Sequence, residues 1–177
     1  TLNRMSVEDA WTATDEASLL RVLALCNNAS IGATDDDETG DPTEVALLRY
    51  AETRGFAFAE ANRRYRRVLE IPFEAARARM TVVVEDGNDG GRLALVKGAP
   101  EVILARCDLI GDSPASNEEK ERALEKMTAM ADQGMRVLAL ADRSLTHEAE
   151  ETEIEQKLRL VGFVGMADPL REEASGA

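Results

Sequence analysis

Aromatic side chains are scarce: four Phe, two Tyr and one Trp make up 4% of the 177 residues. Aliphatic side chains and alanine must therefore fill most of the core. Cysteine is nearly absent, with Cys26 and Cys107 far apart in sequence and each among apolar neighbours. That usage points to buried thiols in a reducing compartment, not to a disulfide framework. One histidine and no CxxC pair leave no ligand set for zinc. Basic residues are outnumbered, 21 Lys+Arg against 34 Asp+Glu, for a formal net charge of -13. A bulk-acidic chain is a poor nucleic-acid binder, since neutralising a phosphate backbone needs a basic face, and no nucleic-acid partner is expected. It also has no polybasic segment to hold it on an anionic membrane surface. No apolar run approaches the ~18 residues of a spanning helix, and Thr1–Met5 has no apolar stretch of signal-peptide type.

What is present fits one soluble domain facing the cytosol. Hydrophobic residues at 44% and charged residues at 31% are ordinary for a globular chain. Leu19, Leu20, Val22, Leu23 and Cys26 recur at helical spacing after Asp15, a candidate N-cap. Asp35-Asp36-Asp37-Glu38 reads as a solvated loop. A second helix is predicted from Pro42, capped by Asp41 and stopped at Gly55. Strands are predicted at 65–71, 79–85 and 92–97, the last two paired as a hairpin across Asp86–Gly91. Pro100 opens a short helix and a charged one covers about 117–133, by the same cues. Strands at 137–140 and 158–164 follow, separated by an acidic segment, 146–157, placed on the surface. The ends, around Met5 and Asp168-Pro169, read as extended segments. Hairpin-linked strands with grouped helices define an α+β fold with a largely antiparallel, twisted sheet flanked by helices.

Chemistry concentrates at a few places. Lys97-Gly98-Ala99-Pro100-Glu101 ends a strand in an ammonium and starts a helix in proline, a geometry suited to a phosphate. A lysine merely snorkelling at a strand end explains the same residues, and no P-loop pattern occurs anywhere. Phe73 stands at a strand exit, where it either fills the core or stacks on a planar base, with Arg77 and Arg79 close behind. Gly134-Met135-Arg136 puts a guanidinium at the head of a buried-looking strand, facing either an anion or a carboxylate of the chain. Capping accounts for Asp41 and Thr43, while Glu44 is free to accept a hydrogen bond. Asp86–Asp89 is a hairpin turn, and His147 has no catalytic partners around it. No triad and no catalytic carboxylate pair is found.

In combination these segments resemble the P-type cation-transporting ATPases. The resemblance rests on Asn3-Arg4-Met5, Gly40-Asp41-Pro42-Thr43-Glu44, Pro72-Phe73 with Arg77 and Met80, and Lys97-Gly98-Ala99-Pro100-Glu101. Arg106-Cys107, Gly134-Met135-Arg136-Val137-Leu138-Ala139 and Asp168-Pro169-Leu170-Arg171 complete it, in family order, across essentially the whole chain. It is similar to the nucleotide-binding domain of the calcium and sodium/potassium (type II) pumps. The His-Pro motif of the heavy-metal branch is missing.

The resemblance implies one nucleotide-binding domain over residues 1–177, with 1–5 and 166–177 as hinges to a phosphorylation domain. It implies ATP or ADP as ligand, with Phe73 stacking on adenine and Glu44 meeting its amino group. Lys97 would lie deep in the pocket, Gly98 and Ala99 on its floor, and Leu138 against it. Arg136 and Arg77 would face the phosphates, and Asp168 and Arg171 would sit at the return hinge. Where the family often carries a second lysine, this chain has Ala78, which leaves Arg77 or Arg79 to substitute. The phosphorylated aspartate lies outside the sequence, so the fragment should bind nucleotide without turnover and hold no tight metal. Mg-ATP would act only in the intact pump, with the phosphorylation and actuator domains as partners and the membrane reached through a separate domain. The fragment should be monomeric, on the cytoplasmic face. Two rivals remain at this point: a non-catalytic acidic interaction module, and a phosphatase cap domain.

Overall fold

Short local signals decide where the elements begin and end. Asp15 accepts a hydrogen bond from the Ser18 amide at 2.7 Å and caps α1 (Glu16–Leu25). Asp41 does the same for the Thr43 and Glu44 amides of α2 (Pro42–Thr53), whose first residue is the predicted proline. Gly55, at φ 84, ends that helix in a left-handed conformation that glycine adopts without strain. The computed structural model describes residues 4–146 and 151–168.

Around these two helices the chain runs β1 (Ser6–Thr12), α1, a 3-10 turn at Asp35–Asp37, α2 and α3 (Phe58–Arg64). It continues with β2 (Tyr65–Glu74), β3 (Arg79–Asp86), β4 (Arg92–Gly98), α4 (Pro100–Leu104), β5 (Cys107–Ile110) and β6 (Ser113–Pro114). Then come α5 (Asn117–Asp132), β7 (Arg136–Leu145), α6 (Glu151–Ile154) and β8 (Leu158–Ala167). The strands form one eight-stranded sheet in the order β2-β3-β4-β7-β8-β5-β6, with β1 added along β8. Every pairing is antiparallel except β5 with β8. The expected α+β class and antiparallel sheet are borne out.

Both faces of the sheet are covered. Helices α1 and α2 bring Leu19, Leu23 and Leu47 against Val82, Leu95, Leu140 and Val164 on one face. On the other, Ile103, Leu104 and Met130 from α4 and α5 meet Val96, Ala139, Leu158 and Phe163. Two-sided burial explains why β3 reads as an unbroken apolar run, not as an alternating one. Trp11 of β1 stacks on Phe163 with ring centroids 5.4 Å apart, tying the added strand to the core. Cys26 and Cys107 are free, buried thiols, as expected.

One expectation about the surface is overturned. The segment before β8 is acidic, yet Ile154 and Glu155 are buried, at 3% and 5% exposure. Ile154 packs with Val83 and Ala94. Glu155 is drawn inward by three donors: Thr81 Oγ1 at 2.5 Å, the Arg77 guanidinium, and Arg79, whose ion pair measures 3.2 Å. A carboxylate can be buried when its lone pairs are met in this way.

Candidate functional site

A cleft of about 290 Å³ opens where β4 ends and β3 and β7 begin, beside the start of α2. Its lining includes Glu44, Phe73, Lys97, Gly98, Arg136 and Leu138. Six residues named from sequence, drawn from four separate segments, therefore meet in one place. The lining also contains Asn28, Asp41, Thr43 and Met80. Asn28 escaped the sequence reading because it lies in a loop with no pattern of its own. Asp41 and Thr43 were explained by capping alone.

The floor is a buried ion pair. Lys97 Nζ donates to Glu44 Oε2 at 2.6 Å, and the Asn28 amide donates to the same oxygen at 3.1 Å. Lys97 is only 7% exposed, so its charge is compensated inside the fold before any ligand arrives. Beneath it, the Cys26 thiol donates weakly to the Met80 carbonyl at 3.6 Å. Burial pushes that thiol up to about 11, against the opposing pull of Lys97, so it is inert at neutral pH.

The wall is an exposed ring. Phe73 keeps 58% of its surface in solvent, so it is not the core filler that sequence alone allowed. An exposed aromatic over a polar floor suits a flat, partly apolar ligand. Arg136 stands exposed at the rim with no ion-pair partner among the described residues. Of the two readings open for it, an internal carboxylate is therefore not the one observed.

Gly98 is there for space. A Cβ at this position would lie 2.4 Å from the Ala78 carbonyl oxygen and 2.8 Å from Arg79 Cβ. The close approach lets the Ala99 amide donate to that same oxygen at 3.0 Å, locking the end of β4 onto the β2–β3 turn. Ala78 itself sits at φ 55 in that turn.

The remaining predicted residues lie elsewhere. Ala99 holds the N-cap position of the short helix α4 without a side-chain cap and is not part of the lining, nor are Pro100 and Glu101. Arg77 is not at the cleft: its guanidinium is engaged by Glu155 and donates to the Pro72 carbonyl at 3.0 Å. Arg79 is held by the same glutamate. Neither arginine is thus free to replace a lysine at position 78. Asp168 is half-buried just beyond β8 and is not part of the cleft lining, and Arg171 lies outside the described residues. His147 is likewise outside them.

A larger cavity, about 580 Å³, lies between Arg4–Val7 and α2. Its arginines are already paired: Arg4 with Asp35 and Glu38, Arg49 with Glu38 at 2.7 Å. It offers no free charge of that kind and no exposed ring, so the smaller cleft is the better candidate. No group of three or more His, Cys, Asp or Glu able to hold a metal occurs among the described residues.

A deep lysine–glutamate floor, an exposed aromatic wall and a rim arginine without an ion-pair partner among the described residues make a cleft whose chemistry suits a flat group bearing an anion. The family described as P-type ATPase, cytoplasmic domain N, matches residues 16–173, and the chain belongs to it. A probable cation-transporting P-type ATPase of Mycoplasma genitalium is 38% identical over all of this chain and 20% of its own length. A calcium-transporting ATPase of Bacillus subtilis is 40% identical over 87% of this chain and 18% of its own length. A sodium/potassium exporting P-type ATPase of Schizosaccharomyces pombe is 34% identical over 90% of this chain and 16% of its own length. The chain thus spans about a fifth of the length of these relatives. Among the described residues no helix is long and apolar enough to cross a membrane.

Proposed function

We propose that this domain binds ATP or ADP in the cleft, base first, and serves as the nucleotide-holding part of a cation pump. The observation that carries the reading is the convergence of Glu44, Phe73, Lys97, Gly98, Arg136 and Leu138 on one cavity. Adenine would stack on Phe73, with its amino group toward the Glu44 carboxylate and Leu138 against its edge. The triphosphate would run outward past Arg136. With Lys97 already paired, Arg136 is the cleft cation that no carboxylate compensates among the described residues.

In the intact pump the domain would present the γ-phosphate to an aspartate outside this chain, with residues 1–5 and 166–177 acting as hinges. Mg²⁺ would arrive on the triphosphate. The contribution of this chain is positioning: it holds the base at one end so that the other end reaches its target. Alone it would bind without turnover. One stacked base of roughly 1–3 kcal/mol plus a rim charge must offset the cost of association. That supports a dissociation constant of about 0.1 to several mM. Bulk acidity supports the rival interaction module, but a carboxylate-rich surface gives no reason for an exposed ring above a buried lysine.

An amide-resolved NMR titration with ATP, ADP and AMP, with and without Mg²⁺, tests the proposal. Saturable shifts clustered at Glu44, Phe73, Lys97-Gly98 and Arg136, little changed by Mg²⁺, are expected. Absence of saturation up to about 10 mM, weaker than about -2.7 kcal/mol, would remove the nucleotide reading and leave the interaction module.

A further inference from the structure

The acidic segment before β8 reaches the cleft indirectly. Glu155 lies against Thr81, whose side chain alternates with that of Met80, so it approaches the sheet from the face opposite the cleft. From there it grips both arginines of the β2–β3 turn. Arg77 spans the turn, bound to Glu155 by one nitrogen and donating to the Pro72 carbonyl at 3.0 Å with another. Pro72 is the residue immediately before Phe73. Arg79 donates back to the Arg77 carbonyl at 3.0 Å, closing the turn on itself. The segment that carries Glu155 is fixed in its turn: Arg106 donates to the Glu155 carbonyl at 3.2 Å, and Arg143 to the Gln156 carbonyl at 2.8 Å.

We propose that Glu155 is a positioning residue for the nucleotide site, holding Phe73 over the cleft through Arg77 and the Pro72 carbonyl. Phe73 keeps 58% of its surface in solvent, so its orientation depends strongly on the turn that carries it. A two-pronged guanidinium bridge between a buried carboxylate and the neighbouring carbonyl supplies that constraint. The inference rests on the nucleotide reading of the cleft and adds a residue that touches neither base nor phosphate. It also gives Arg77 a role different from phosphate contact.

The test uses the 177-residue chain with 4-fluorophenylalanine incorporated, comparing the parent with Glu155→Gln. Three quantities are read: the ¹⁹F line of Phe73 without ligand, the affinities for ATP and for adenosine, and the fluorescence of Trp11, which reports the core. The variant should sharpen and shift the Phe73 line and weaken ATP and adenosine alike by about five- to tenfold, with Trp11 emission unchanged. A purely structural role would move Trp11 with the rest. If Glu155→Gln fails to fold, Arg77→Gln, which leaves Glu155 with Thr81 and Arg79, is read in the same way. A folded variant with the parent's Phe73 line and affinities within twofold overturns the inference. A parent chain that binds neither ATP nor adenosine overturns the nucleotide reading itself, a different result.

Discussion

Substituting Gly98 by alanine tests whether the cleft depends on close backbone approach. Gly98 has no positive φ, so alanine meets no backbone strain there. The obstacle is steric. The new Cβ would lie 2.4 Å from the Ala78 oxygen, 2.8 Å from Arg79 Cβ and 2.9 Å from Arg79 Cα. Ordinary contact begins near 3.4 Å, so the two backbones must part by about 1 Å. Neither side yields easily. Gly98 is paired with Arg79 across β3–β4 and with Ala139 across β4–β7. Separation would stretch the 3.0 Å bond from the Ala99 amide to Ala78 toward 4 Å, past the limit of a hydrogen bond. Overpacking of about 1–3 kcal/mol and a lost bond of about 0.5–1.5 kcal/mol sum to roughly 2–4 kcal/mol. For a domain of this size the melting temperature should fall by about 5–15 °C. Gly90→Ala is the control: its φ is 73, but nothing lies within 4 Å of the new Cβ. It should cost only about 1 kcal/mol of backbone strain. Thermal melts of both variants decide the matter. The reasoning fails if Gly98→Ala is no less stable than Gly90→Ala.

Phe73→Ala removes an exposed ring, so stability should stay within ~0.5 kcal/mol while nucleotide affinity falls by roughly 1–3 kcal/mol. Chemical denaturation beside an ATP titration checks it, and a large loss of stability would show that the ring belongs to the core. Both cysteines should resist a disulfide exchange reagent at pH 8, because burial pushes Cys26 up to about 11 and Cys107 to about 12. A thiol that reacts within seconds in the native chain would contradict this. Burial pushes the Glu155 carboxyl up, but the Thr81 and Arg77 hydrogen bonds and the charge of Arg79 together hold it below the usual carboxylate range. The Ser18 amide holds the Asp15 carboxyl low in the same way. Folded values below the unfolded ones mean stability that is complete at neutral pH and lost as pH falls through the carboxylate range. Urea midpoints from pH 7 down to pH 3 should therefore decline, and a flat profile would refute the assignment.

Much of the architecture was legible because it is written in local chemistry. Asp15 and Asp41 announce helices through side chains that reach amides two or three residues on, and the glycine-rich Asp86–Gly91 turn announces its hairpin. Weaker elements left no such mark. Helix α3 follows Ala57, which has no side chain to cap it, and β1 interrupts its apolar pattern with Glu8 and Asp9. Site residues that sit at element ends, such as Lys97 and Glu44, were found as individual features. That a buried pair of 2.6 Å joins them across 53 positions was not visible. The burial of Glu155 is hidden from sequence for a related reason. A carboxylate in an acidic segment reads as solvated unless its donors are known, and these lie 74 and 78 positions away.

The electrostatics of the cleft follow from that long-range pairing. A chain of net charge -13 repels a nucleotide as a whole, and pairing Lys97 with Glu44 takes the one deep cation out of the balance. For the proposed nucleotide, attraction to the phosphates would then be left to Arg136, which is exposed and therefore screened. Stacking on Phe73 does not depend on charge and loses nothing to the acidic surroundings. On the proposed nucleotide reading, the cleft is therefore suited to grip a base rather than a triphosphate. Such a division would be coherent for a part that, as proposed, hands the terminal phosphate to a partner: a tight hold on the phosphates would stabilise the bound nucleotide as much as the reacting one, and so would not speed transfer.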